Sequence, residues 1–436
     1  MIVWGCLGVR AEESRPNILL ILADDLGYAD IGVHGNTEFP TPNLDQLAEM
    51  GMRFTQAYVT GPVCGPSRAG LVTGRNQERF GFEGHPNPKE TWGLPLDEYT
   101  FPAALQKAGY TTALFGKWHL GSEPGYRPRD RGFDEFYGFL FGMHDYFQED
   151  DPYWGPIVEG DGTPAELPQY LTFELADRTS AFIRRQAKEH NPFFVWLSFN
   201  APHTPMEAPR HYLDKTKHIE GKRRSTYAAM VMALDDAVKT VMNALEESDV
   251  INNTVIIFMS DNGGPILHNG SCNDPLRGYK AQLWEGGVRV PFFIIWPDHI
   301  PAGQVRDEII SSLDLYPTFA ALANAQTPNT LEGMNLTALL NGQPMPELFQ
   351  RELFWRFYST QKAVRHGDLK WVRVDKEKGL YDMSESVRED NNISDTHSQD
   401  AEMMRASWVE WNKDNPKIKL NQRQIMDSNM GESDAE

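Results

Sequence analysis

A cysteine at the start of a helix, with an arginine one turn further on, is a combination suited to handling anions. In Gly61-Pro62-Val63-Cys64-Gly65-Pro66-Ser67-Arg68-Ala69-Gly70-Leu71-Val72-Thr73-Gly74-Arg75 the cysteine lies in a Gly/Pro-rich loop. Pro66 suits the first turn of a helix, where its missing N–H costs nothing. Arg68 follows Cys64 by four residues, so a helix beginning here turns both side chains to one side of its N-terminus. Free backbone N–H groups and the positive end of the dipole favour an anion there. The stretch reads as a nucleophile beside an oxyanion cradle. A buried free cysteine before a helix is the plainer alternative.

Four apolar runs of strand length end in polar clusters that have chemistry of their own. Residues 17–22 run into Asp24 and Asp25, residues 111–115 into Lys117 and His119, residues 193–199 into His203, and residues 254–259 into Asp261 and Asn262. Any one of these is readily a turn. In open α/β sheets, however, ligands bind outside the carboxyl ends of the strands, so the four clusters can converge. Asp24, Asp25, Asp261 and Asn262 are hard oxygen ligands suited to Ca²⁺. Three carboxylates gathered together would repel one another without a cation.

The elements that must position these residues alternate between strand and helix. Helical spacing or capping marks residues 42–50, with Thr41 as N-cap and Pro42 first, then 98–108, 171–188, 225–246 and 311–323. A further strand is expected over 288–296, interrupted by Pro291. This alternation predicts an α/β fold, a mainly parallel sheet sandwiched by helices. Residues 141–170 break the pattern and read as a long loop. Beyond residue 343, short strand-like pieces at 354–357, 362–365, 369–374 and 379–381, and a helix at 402–411, predict a small C-terminal antiparallel sheet plus helix. The expected organisation is a signal remnant (1–15), a catalytic α/β domain (16–345), a C-terminal subdomain (346–415) and a polar tail (416–436).

With 436 residues and a formal charge of −20, the chain can bury a large core and argues against nucleic acid or an anionic membrane surface as partner. Its three cysteines give no disulfide framework. No apolar run is long enough to span a bilayer. The apolar start, ending in Val9-Arg10-Ala11, reads as the shortened remnant of a secretory signal, so a periplasmic or secreted location is expected.

The wording around Cys64 resembles the signature of the type I, formylglycine-dependent sulfatases, Cys-x-Pro-Ser-Arg followed by Leu-x-Thr-Gly-Arg. The resemblance is to arylsulfatase-like members of the alkaline phosphatase superfamily. It extends to Pro-Asn-Ile-x-x-x-x-Ala-Asp-Asp-x-Gly-Tyr, Gly-Lys-Trp-His-Leu-Gly, Ser-Asp-Asn-Gly and Gly-x-Lys-x-x-x-x-Glu-Gly-Gly-x-Arg, from Pro16 to about Asn392. It implies that a maturation enzyme converts Cys64 to formylglycine, whose hydrate attacks sulfur. It further implies that Asp24, Asp25, Asp261 and Asn262 hold a calcium ion that also touches position 64. Arg68 and Lys117 would bind sulfate oxygens, His119 would orient the diol and act as base, and His203 and Lys280 would face the leaving alcohol.

The implied substrate is a sulfated polysaccharide or its oligosaccharides, with small aryl sulfates as the narrower alternative. His85, Trp92, His144, Tyr153 and Trp154, in the spans 80–92 and 141–154, are candidates for sugar contacts, and loop packing explains them equally well. Two rival readings remain. A phosphoester hydrolase of the same fold would use Thr or Ser with two transition metals, and a sulfated-glycan binder would result if Cys64 were never matured.

Overall fold

The computed structural model describes residues 15–417. The stretches expected as signal remnant and polar tail lie almost wholly outside the described residues, as does Cys6. Strand β1 (Asn17–Ala23) is buried along its whole length, and its side chains divide between two cores. Ile18, Leu20 and Leu22 face one; Leu19, Ile21 and Ala23 face the other. Side chains alternate across a strand, so a run that is apolar at every position belongs between two covering layers.

Nine more strands complete this sheet: β2 (Met52–Phe54), β3 (Thr111–Lys117), β4 (Glu135–Phe139), β5 (Val158–Glu159), β6 (Thr163–Pro164), β7 (Phe193–Ser198), β8 (Thr254–Ser260), β9 (Phe292–Ile295) and β10 (Gln304–Arg306). Their order is β10-β2-β9-β8-β1-β7-β3-β4-β5-β6. The central five, β8 to β4, run parallel. β9 is antiparallel to its neighbours, and β5 and β6 close the other edge antiparallel. Register matters most for function. Ala23 lies opposite Ser260, Leu22 opposite Ser198, and Ser198 opposite Gly116, so the four candidate clusters emerge along one rim.

Helices α1 (Pro42–Glu49), α2 (Cys64–Thr73), α3 (Phe101–Lys107), α4 (Leu171–Glu189), α5 (Lys222–Glu247), α6 (Glu285–Val288), α7 (Leu315–Ala323) and α8 (Ser398–Asn412) follow in chain order. α1, α4 and α5 cover one face of the sheet; α2, α3 and α7 cover the other. Strands β11 (Glu352–Phe357), β12 (Gln361–His366), β13 (Leu369–Val374) and β14 (Glu377–Asp382) form an antiparallel meander. One of its faces takes Trp408 and Trp411 of α8; the other, with Trp355 and Val372, joins the core on the α2 side.

Several local expectations change. The helix expected from residue 98 begins at Phe101, with Thr100 as N-cap and Pro102 in its first turn. The strand expected over 288–296 shrinks to β9, because Pro291 has no N–H for the ladder and the residues before it coil into α6. The helix expected from residue 311 starts as a 3₁₀ turn over Ser312–Asp314, closed by reciprocal capping between Ser311 and Asp314. Residues 141–170 are not all loop: β5 and β6 extend the main sheet, and Asp150–Asp151 pairs with Gly155–Pro156. Among the described residues no helix is long and apolar enough to cross a membrane.

Candidate active site

Cys64 is the first residue of α2, with Val63 as N-cap, and Pro66 sits at the third position, within the first turn as expected. The end of the motif terminates the helix. Gly74 adopts the left-handed conformation as C-cap, and Arg75 then pairs with Glu98 at 2.6 Å. The Cys64 thiol donates to Asp24 Oδ1 at 3.3 Å, and Lys280 Nζ lies 3.3 Å from the sulfur. Burial pushes this thiol far above its ordinary range, and Asp24 and Asp261 add to the effect. A neutral buried thiol is a poor nucleophile.

Around it, charges pair closely. Lys117 Nζ meets Asp24 Oδ2 at 2.6 Å, and Lys280 Nζ meets Asp25 Oδ2 at 2.8 Å. Arg68 is fully buried. Its Nε donates to Asp261 Oδ2 at 2.9 Å, its Nη2 stands in ion-pair contact with the same oxygen at 2.9 Å, and its Nη1 donates to Lys117 O (3.0 Å) and Ser198 Oγ (2.6 Å). Ser198 was not foreseen; its only signal in the sequence is a polar residue closing an apolar strand. Asp24, Asp25 and Asp261 thus face Arg68, Lys117 and Lys280, three carboxylates against three cations.

Burial opposes ionisation of Asp25, yet Lys280 and His203 hold its carboxyl down at about 2. Asp261 goes the other way, raised to about 6 by burial and then by Asp24. Burial lowers His203 and His85 to about 3 and takes His119 well below its ordinary value. Asp25 and His119 both hold left-handed backbone, φ 66° and 65°, a conformation that costs non-glycine residues energy and gathers at functional sites.

A group of side chains here could hold a metal ion, while Asp261, expected among the ligands, is not one of the group and is engaged by Arg68. Asp24, Asp25, Cys64 and His203 each bring a donor atom within 4.8 Å of the others. Asn262 Nδ2 donates to Asp25 Oδ1 at 2.7 Å, while its Oδ1 is buried with no partner among the described residues, the state expected of an oxygen aimed at a cation. His203 was expected on the leaving side and here joins this group as well; its Nε2 lies 3.5 Å from Asp25 Oδ2 and its Nδ1 lies 2.7 Å from Thr204 O.

The substrate candidates divide. His85 is brought to the centre, stacked on His119 with ring centroids 4.8 Å apart. His144 is buried instead, with Nδ1 on Asp145 O at 2.8 Å. Trp92 packs on Phe82 and donates to Glu90 Oε2 at 2.8 Å. Tyr153 and Trp154 pack edge to face, and Lys89 reaches over the Tyr153 ring, so the two suspected spans touch.

A parallel sheet with a cation-ready carboxylate cluster, a helix-start cysteine and buried basic groups defines a hydrolase of anionic esters. The comparisons narrow this. The Sulfatase family model matches residues 16–325, and the N-sulphoglucosamine sulphohydrolase C-terminal model matches residues 279–410. N-acetylgalactosamine-6-sulfatase of Sus scrofa is 35% identical over 398 residues, covering 84% of this chain and 73% of that protein. Arylsulfatase A of Bos taurus is 38% identical over 393 residues, covering 83% and 75%. Ps i-CgsB, solved in complex with k-i-k-neocarrahexaose, superposes with a TM-score of 0.88 at 36% identity, covering 93% of this chain and 94% of that one. The chain belongs to the sulfatase family, and its activity is that of a sulfuric ester hydrolase.

Proposed function

We propose that this sulfatase removes sulfate from a sulfated polysaccharide or oligosaccharide, using formylglycine made from Cys64 by a maturation enzyme, with a bound Ca²⁺, in the periplasm or outside the cell. The observation that carries the reading is Cys64 at the start of α2, 3.3 Å from both Asp24 and Lys280 and one turn from buried Arg68. The carbohydrate class is supported by the relatives: one is an N-acetylgalactosamine-6-sulfatase and another was solved with a neocarrahexaose.

Asp24, Asp25, Asp261 and Asn262 would hold the ion, with position 64 beside them. When bound, it polarises the sulfate and acidifies the attacking hydroxyl, and the aldehyde hydrate supplies the nucleophile. The chain's own groups do the rest. Arg68 and Lys117 neutralise charge on the sulfate oxygens in the transition state. His119 takes the proton at position 64. On the Asp25 side, Lys280 holds the ester. Thr204 O fixes the His203 proton on Nδ1, which leaves Nε2 as an acceptor on the leaving side, so the charged Lys280 Nζ beside it is the group that supplies a proton to the departing alcohol.

Carrageenan, ulvan and glycosaminoglycan fragments, assayed beside a nitrophenyl sulfate, test the substrate class. Release of sulfate from at least one glycan is expected, and turnover of the aryl ester alone would sink the carbohydrate reading. The metal has a separate readout. Ca²⁺ at a hundred times its Kd should raise unfolding stability by about 2.7 kcal/mol over the chelated protein. Asn262→Ala should shrink that increment in a denaturant titration. Zinc retained in place of calcium in metal analysis would favour phosphoester chemistry.

A further inference from the structure

We propose that His85 is a positioning residue for His119, and that Gly65 and Gly142 provide the room this arrangement needs. The inference rests on the reading of His119 as a member of the reaction centre. His119 is 4% exposed, and its Nδ1 has no protein partner among the described residues. That distinguishes it from His203 and His144, each of which holds Nδ1 against a backbone carbonyl. An imidazole that moves protons must have its ring orientation fixed, commonly by such a hydrogen bond. At His119 contact between surfaces takes over that task.

One face of the His119 ring is covered by His85, nearly parallel at 15° and 4.8 Å between centroids. Gly142 closes in as well, since a Cβ there would stand 3.0 Å from both Cε1 and Nε2 of His119. His85 is wedged in turn against the residue after the nucleophile. A Cβ at position 65 would come within 2.9 Å of His85 Nδ1 and 3.1 Å of Gly84 O. The sulfatase signature leaves this position free, and here glycine is what allows the stack. His85 Nδ1 is itself buried without a partner among the described residues, so the ring serves through its face and not through a hydrogen bond at that atom.

The test compares His85→Ala, His85→Phe and Gly65→Ala on nitrophenyl sulfate, which reaches the sulfate pocket but presents no sugar. His85→Ala and Gly65→Ala are expected to lower kcat on the order of 100-fold with KM little changed. His85→Phe should restore most of the rate, because it keeps the stacked ring. A readout independent of turnover is carbethoxylation of His119, followed by peptide mass; it should speed up in His85→Ala and stay slow in His85→Phe. Unchanged kcat in His85→Ala, a loss confined to glycan substrates, a phenylalanine variant no better than the alanine one, or a His119 equally protected in all forms overturns the proposal. Failure of the unsubstituted enzyme on every sulfate ester would count against the proposed function, while the labelling comparison would still decide the role of His85.

Discussion

Cys64→Ser is expected to bind one sulfate group and stop. The physical reason lies in how many hydroxyls position 64 can present. A hydrated aldehyde has two on one carbon, one to attack sulfur and one to expel sulfate afterwards; serine has only the first. Multiple-turnover activity should therefore fall by several orders of magnitude, as for loss of other covalent nucleophiles. The peptide spanning residues 61–75 should gain the mass of one SO3 unit after incubation with substrate, the serine oxygen being kept in the ester. The surroundings favour that first attack, since Lys117 and Arg68 remain in place and position 64 stays at the start of α2. The unmodified thiol offers no alternative route, because burial and two neighbouring carboxylates keep it neutral. Full turnover by the serine variant, or by protein whose residue 64 is shown by mass to be a thiol, would falsify the formylglycine reading.

Much of this was legible in the sequence because two kinds of signal are local. Strands buried on both faces must be apolar at every position, so β1, β7 and β8 are evident as uninterrupted runs. Parallel strands that start level end level, so the polar residues after each run could be assigned to one rim. The C-terminal meander showed through for a different reason, its short pieces being separated by turns. What stayed hidden depends on packing. β2, β5, β6 and β10 are only two or three residues long, and they owe their place to edge pairing rather than to composition. His85 looked like a possible sugar contact because the span 80–92 could border the sulfate pocket; that it lies on His119 follows only once Gly65 and Gly142 are seen to leave space. The joint between the C-terminal sheet and the catalytic loop was legible only in part: Glu285 and Arg289 fall on the Gly-x-Lys-x-x-x-x-Glu-Gly-Gly-x-Arg motif, while Lys370 and Glu389 are indistinguishable in sequence from surface residues.

That joint is where the largest loss of stability is expected. Glu285 opens α6, five residues after Lys280, and is wholly buried. It accepts from Tyr58 Oη at 2.8 Å, Arg289 Nη1 at 3.2 Å and Lys370 Nζ at 2.8 Å. Lys370 comes from β13, is also fully buried, and reaches Glu389 at 2.9 Å. Burial opposes ionisation of Glu285, yet Lys370, Arg289 and Arg365 hold its carboxyl down at about 2. A carboxyl with a depressed folded pKa contributes stability above its unfolded pKa of about 4.3 and loses it as pH falls toward 2. Glu285→Gln leaves buried Arg289 and Arg365 without their carboxylate, and Lys370→Met leaves buried Glu389 without its cation, in each case at a cost of about 3–5 kcal/mol. Because Lys280 sits on the same loop, kcat should fall in both variants even where they remain folded. The double variant should cost less than the two single variants summed, since both act on one buried network. Urea titrations at neutral pH and near pH 3 decide the matter. Single variants within about 1 kcal/mol of the parent, the range of exposed pairs, would show that the joint is held by the apolar contacts of Trp355 and its neighbours alone.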